Sequence, residues 1–256
     1  MIVSNPDILK CPHCGGLRRI SSIVTGNNFD MSFWSDFQLD LPCCPSVSSV
    51  LRCPICKKYH FFHNSQIVGD CRTYGKSDFG ELSYKSLKEA LEQLKPKGKD
   101  EETLRMMILW AYNDLYGQMH NVEILPKELQ QERQFFRENA LALFRLRPED
   151  TLLHAELFRE MGEFDNSIAL LKRICFENPS NHSLTIIEKA AKNDANVCII
   201  ESLSSSESRF PIEDSVGYVY YSWKDWDWEY VEKRLNPYIQ KVKNFFVKEE
   251  DDEDYL

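Results

Sequence analysis

Two short turns hold the residues best suited to chemistry in this sequence. They are Cys11-Pro12-His13-Cys14-Gly15-Gly16 and Cys53-Pro54-Ile55-Cys56-Lys57-Lys58. Two residues between cysteines let both sulfurs reach one tetrahedral metal ion from a tight turn. Backbone amides in such a turn point at the thiolates and help to hold their charge. Proline fixes the entry into the turn, and glycine tolerates the positive φ at its exit, a place that Lys57 takes in the second turn. Together the turns supply four thiolates and leave no position for water. That is a structural rather than a catalytic arrangement, and the expected occupant is one zinc ion on Cys11, Cys14, Cys53 and Cys56.

The other cysteines fit this picture. The chain has nine, of which seven lie before residue 72. A secreted disulfide scaffold would spread them along its length, so in a reducing compartment the pattern points to metal before disulfides. The gap between the two pairs is 38 residues, longer than the usual 15–20, and residues 15–41 must supply a hairpin insertion. Cys43 and Cys44 are adjacent, which ill suits joint ligation of one ion. They are expected to be small buried loop residues, with a substitute-ligand or redox role as the alternative. His60 and His63 are ligands by residue type only, and His13 is expected to point away from the metal. A thioredoxin-like redox pair would need a strand–motif–helix context. Cys14 is followed instead by two glycines and a strand-like run.

On Cys11, Cys14, Cys53 and Cys56, the first segment resembles zinc-ribbon domains of the rubredoxin-knuckle kind. The resemblance covers about 45 residues and implies a small antiparallel sheet with the metal between two loops. Functions in that family range from nucleic-acid contact through protein contact to stabilisation alone, so the fold does not choose among them.

The elements that must position these cysteines can be read from local pattern. Residues 18–25 read as a strand, Gly26-Asn27-Asn28 as a turn, 29–39 as the returning strand, and 47–52 and 59–62 as strands flanking the second turn. Near Asp78 the composition changes to helical periodicity. Helices are expected over 81–94, 101–119 and 126–146, and then as two joined near Gly162. Two more are expected within 182–203, a link at 202–207, and a last helix over 228–246. In the second helix Leu104, Ile108, Ala111, Leu115 and Met119 fall on one face. The aspartates and glutamates of the helices read as solvated faces. The fold class expected is α+β: a ribbon domain over 1–76, an all-α domain over 77–247, and a disordered acidic tail over 248–256.

Residues 148–181 resemble one tetratricopeptide repeat, a 34-residue helix–turn–helix. Ala155 and Phe158 stand at packing positions of the first helix, Gly162 and Phe164 at the turn, Ser167 and Leu171 in the second helix, and Pro179 at the close. Thr151 stands where the family has tryptophan, and Ile174 where alanine is usual. One repeat cannot bury its faces alone, so neighbours must stack on it. The resemblance implies a helical-hairpin array with a groove for a peptide or protein; a plain helical bundle containing one such hairpin is the alternative. The pairing of modules is similar to that of bacterial proteins that join a Cys-rich N-terminal module to helical repeats, and it implies no activity.

Composition narrows the function classes. The net charge is −9, yet residues 1–76 carry eight Lys/Arg against five Asp, so the remainder is strongly acidic. An acidic chain is a poor general nucleic-acid binder. No run approaches the roughly 18 apolar residues of a membrane helix. The first residues lack a basic start and apolar run, so no signal peptide is expected and the expected compartment is cytoplasmic. Phosphate-binding loops, nucleophile elbows and zinc-protease motifs do not occur. The aromatic segment 218–228 is expected to cap the last hairpin, with an exposed recognition patch as the alternative. The expected function is that of a non-catalytic adaptor binding another protein. Nucleic-acid binding through Arg18, Arg19, Arg52, Lys57 and Lys58, with Phe33 or Trp34 stacking, is the alternative, followed by a thiol-redox enzyme.

Overall fold

A computed structural model describes residues 2–3, 7–21, 23–25, 31–41, 47–70, 80–120, 127–177 and 179–203. Small strands come first and six helices follow, a mixed α and β chain. The strands are β1 (Ile2–Val3), β2 (Asp7–Lys10), β3 (Leu17–Ile20), β4 (Ile23–Thr25), β5 (Met31–Trp34), β6 (Leu39–Asp40), β7 (Val50–Arg52), β8 (Tyr59–Phe61) and β9 (Gln66–Asp70). The helices are α1 (Tyr84–Leu94), α2 (Lys99–Tyr116), α3 (Lys127–Leu146), α4 (Thr151–Glu160), α5 (Phe164–Glu177) and α6 (Asn181–Ala191), and a last strand β10 (Ile199–Leu203) closes the described chain.

Each Cys-x-x-Cys turn joins two antiparallel strands. β2 pairs with β3 around the first turn, and β7 pairs with β8 around the second. β9 adds to the free edge of β2, and β1 pairs with β4. Leu9, Ile20 and Leu51 form a small core between the two hairpins. Gly80 has φ +76°, and a Cβ there would lie 2.3 Å from a methyl of Leu51. The chain therefore leaves this core through a position open to glycine alone.

Three helices begin at a capping side chain. Ser83 accepts from the Ser86 amide at the start of α1, and Asp150 from the Leu153 amide at the start of α4. Ser180 and Ser183 form a capping box on α6. Asp100, Glu101 and Glu102 crowd the first turn of α2, where the helix dipole favours negative charge. The main core joins the second hairpin to these helices: Val50, Tyr59 and Phe61 pack with Leu87, Leu104, Ile108, Phe136, Leu143 and Leu157. A second cluster of Ala155, Leu171, Leu184 and Ile187 holds α4, α5 and α6 together.

Four expectations are corrected. Residues 29–39 do not return along β3. They make their own tight hairpin, β5–β6, with Phe37 at φ +67° in the left-handed place of its three-residue loop. Residues 182–203 hold one helix and then β10, which pairs antiparallel with β5. The stripe on α2 turns before its end: Leu115 and Met119 are 55% and 42% exposed, while Leu109, Tyr112 and Asn113 are buried. Finally, not all helix acids face solvent, since Glu156 and Glu160 are fully buried. The turn at 26–28, Cys43 and Cys44, the segment 218–228, the helix at 228–246 and the tail at 248–256 lie outside the described residues.

The β5–β6 turn is held by a buried polar hub. The Arg159 guanidinium makes a two-pronged contact with Glu156, at 2.7 and 2.5 Å, and donates to Ser35 Oγ and to the carbonyls of Asp194 and Asn196. Ser35 N–H donates to the Cys198 carbonyl, Ser35 Oγ accepts from the Cys198 amide, and the Ser35 carbonyl meets His182 Nε2 at 2.7 Å. Asn113 donates from one nitrogen to Asp36 at 2.8 Å and to Glu160 at 3.2 Å. Trp110 donates to the Asp36 carbonyl. Burial works to raise Glu156, but Arg159 outweighs it and keeps the carboxyl ionised. Burial, with Glu156 and Asp36 beside it, pushes Glu160 well up. Burial likewise takes His120 down to about 3. The hub thus holds one strong ion pair, with Glu160 and His120 beside it whose charged forms burial disfavours, the arrangement a low-dielectric site tolerates.

Asp36 gives this hub a pH signature. Burial raises its carboxyl from 3.8 to about 6, against opposing bonds from Asn113 and Gln38. The fold therefore retains a proton there that the unfolded chain releases near pH 4. Stability should fall as pH rises from about 4 to about 6, by on the order of 3 kcal/mol, and then level off. Asp36→Asn should flatten that part of the profile, as read from the difference between variant and parent in denaturant titrations across pH 4–8. Parallel profiles for the two proteins would contradict the assignment.

Candidate metal centre

The two cysteine turns are built alike. In the first, Cys11 N–H donates to the Gly16 carbonyl at 2.8 Å and Gly15 N–H to the Cys11 carbonyl at 3.0 Å. In the second, Cys53 N–H donates to the Lys58 carbonyl at 2.9 Å and Lys57 N–H to the Cys53 carbonyl at 3.0 Å. Gly15 and Lys57 occupy the same place, with φ of +71° and +61°. Lys57 accepts there a left-handed strain of roughly 1–2 kcal/mol. The amides of His13 and Gly16 point at the sulfurs of Cys11 and Cys14, each at 3.4 Å.

These turns bring Cys11, Cys14, Cys53 and Cys56 together, with all four sulfurs within 4.8 Å of one another. Cys11 Sγ lies 3.9 Å from Cys56 Sγ, and Cys14 Sγ 3.7 Å from Cys53 Sγ. Metal–sulfur bonds of about 2.3 Å in a tetrahedron place sulfurs about 3.8 Å apart. The donor set therefore fits a metal ion. Cys11 and Cys53 are buried, Cys56 is half-buried and Cys14 is exposed. Burial works to raise the Cys53 thiol, but the amides of Cys56 and Ile55 and the thiols of Cys56 and Cys11 bring it down to about 7. At Cys14 the Gly16 amide lowers the thiol, while desolvation and the three other thiols carry it up to about 11. The first proton leaves near neutrality and the last resists, until a cation displaces it.

The histidines stand aside. His13 Nε2 lies 3.0 Å from the Tyr59 carbonyl and His63 Nε2 lies 3.7 Å from Asp100. His60 is buried in β8, edge-on to His13. Among the described residues, the metal-capable group consists of the four cysteines. Arg19, Arg52, Lys57 and Lys58 are exposed around the turns, and Arg18, half-buried, donates to the Arg52 carbonyl. Phe33 is occupied elsewhere, its ring edge-on to His182 and Phe37 under α6.

Sequence reasoning missed the hub. Its signal was present in α4, where Leu152, Leu153, Ala155, Leu157 and Phe158 surround the helix. A helix that is apolar on every side is a buried one, so its charges must be paired inside. No family model, curated protein or solved structure matches this chain.

Because the second hairpin feeds the main core, loss of the metal should be felt beyond the turns. Cys53→Ser should abolish stoichiometric metal, and metal removal by a chelator should lower the parent's melting temperature while leaving the variant's unchanged. Equal melting temperatures for metal-loaded and metal-free parent would contradict a structural role.

Proposed function

We propose that this chain is a non-catalytic protein-interaction protein in which one zinc ion, bound by Cys11, Cys14, Cys53 and Cys56, fixes the shape of the N-terminal surface. The observation that carries this reading is the closed set of four thiols, which gives a tetrahedral ion all its ligands and leaves it none to share with a substrate. A tetrahedral sulfur site suits zinc or iron, and zinc is the ion with a purely structural chemistry. The ribbon reading draws support from strands on both sides of each turn; a redox Cys-x-x-Cys would open a helix.

The helical part is read as a tetratricopeptide-like hairpin array. In its support, Ala155, Ser167 and Leu171 are fully buried between α4 and α5, and Gly162 turns the chain at φ +80°. α6 packs on the same cluster as a third layer. Two carboxylates with raised proton affinity, Asp36 and Glu160, are sealed at 0% exposure at the β5–β6 turn, where they serve packing rather than turnover. A second reading, nucleic-acid contact through the ribbon, is favoured by the exposed Lys10, Arg19, Lys57 and Lys58, which pair with no carboxylate among the described residues.

Capture of the intact protein's partners from lysate separates the two. It would be run with and without nuclease, and at low and moderate salt. A discrete protein that survives nuclease and salt but is lost after chelation is the expected result. Bound nucleic acid, or binding that vanishes with nuclease, would transfer the function to the ribbon's phosphate contacts.

A further inference from the structure

The metal end of the ribbon presents an apolar tip. Ile55 is 64% exposed and Leu17 56% exposed. Ile55 lies over Gly16, so close that a Cβ on that glycine would meet it at 2.6 Å. Leu17 follows Gly16 directly in sequence, so each turn contributes an exposed apolar residue beside Gly16. A basic rim surrounds this tip. Lys10 stands opposite Leu17 in the β2–β3 register, on the same face, and Arg19 is two residues along that face. Lys57 and Lys58 leave the second turn straight after Cys56. The Arg52 guanidinium sits 5.4 Å over the Tyr59 ring. Acidic residues of this sheet are at its other end, where Asp7 faces Asp70, three residues and so about 10 Å from Lys10. Charge along the ribbon is therefore segregated, with the positive end at the metal.

We propose that this basic-rimmed apolar tip is the docking site of the chain's own acidic segment, residues 249–256. The segment reads Glu249-Glu250-Asp251-Asp252-Glu253-Asp254-Tyr255-Leu256. Six consecutive acids match the rim, and Tyr255 and Leu256 match the apolar centre. The 45 residues between Leu203 and Glu249 have a contour of roughly 150 Å, ample to return to the turns. Tethering raises the effective concentration to the order of 1 mM. An affinity of about 0.1 mM for the untethered segment then keeps the tip about nine-tenths occupied. The segment covers the surface that an acidic outside partner or a polyanion would use, and such a partner must displace it. This goes beyond the adaptor reading, since it needs folded turns but no second protein.

Carbodiimide coupling of the full-length protein tests it directly, because the reagent joins carboxylates to lysine amines in contact. An equal mixture of isotopically heavy and light chains would be coupled, then digested and mapped by mass spectrometry. The expected products join residues 249–254 to Lys10, Lys57 or Lys58 within a single isotopic chain. Their yield should fall several-fold at about 0.5 M salt, where the screening length shrinks to about 4 Å. A variant with the six acids changed to Gln or Asn, shown to keep its metal and helix content, should bind a labelled oligothymidine several-fold more tightly than the parent. Lys10→Gln with Lys58→Gln should cancel that gain. Products that join heavy to light chains, products confined to helix lysines such as Lys88 or Lys99, or an unchanged oligothymidine affinity in the neutralised variant would each overturn the proposal.

Discussion

Four sulfur atoms within 4.8 Å of one another form a stable group only when a cation lies between them. As thiolates they repel; as thiols, at this spacing, they crowd without strong hydrogen bonds. The N-terminal fold depends on how that conflict is resolved. Among the described residues, no ladder runs between the β3–β2–β9 sheet and the β7–β8 hairpin, and the core between them consists of Leu9, Ile20 and Leu51 with their half-buried neighbours. A core of that size contributes only a few kcal/mol, little against the entropy of ordering the two hairpins. A metal ion on the four sulfurs would supply the missing joint and make folding and metal binding one equilibrium.

The hub plays the corresponding part for the insertion between the cysteine pairs. Residues 31–40 form their own hairpin apart from the cysteine turns and place Ser35 and Asp36 among α2, α4, α6 and the approach to β10. Arg159 reaches four partners from one rigid fork, a geometry that lysine could not supply. Its pairing with Glu156 is long-range in effect although the two residues are only one helical turn apart, because the same guanidinium fixes Ser35, Asp194 and Asn196. Removing Arg159 would leave Glu156 charged and unpaired in the interior, a loss of several kcal/mol in comparable buried pairs. The insertion is thus pinned by buried polar bonds on one side, while the four cysteine sulfurs bring the two hairpins together on the other.

Much of this was legible in sequence where the determinant is local. The cysteine turns were readable because two-residue spacing itself sets sulfur geometry, and the helices because apolar periodicity marks their faces. The strand β10 was not readable, since Val197-Cys198-Ile199-Ile200 is a short apolar run that suits helix or strand alike and its partner strand lies far back in the chain. The β5–β6 hairpin was hidden by Phe37, which takes a left-handed turn position that glycine usually announces. Glu156 and Glu160 looked like solvated charges because a pairing across helices and loops leaves no trace at helical spacing beyond Arg159 itself. Pairwise packing at Ala155, Ser167 and Leu171 was readable as a hairpin, but the direction in which successive hairpins stack is set by distant contacts that no single repeat encodes.

The central claim is that the four cysteines enclose a single ion and leave it no open position. X-ray absorption at the zinc edge of the purified full-length protein tests that most directly. The account predicts one zinc per chain with four sulfur neighbours at about 2.3 Å and no oxygen or nitrogen in the inner shell. A mixed sulfur and oxygen shell would mean an open, reactive centre, and a folded chain without metal would remove the joint on which this description of the ribbon rests.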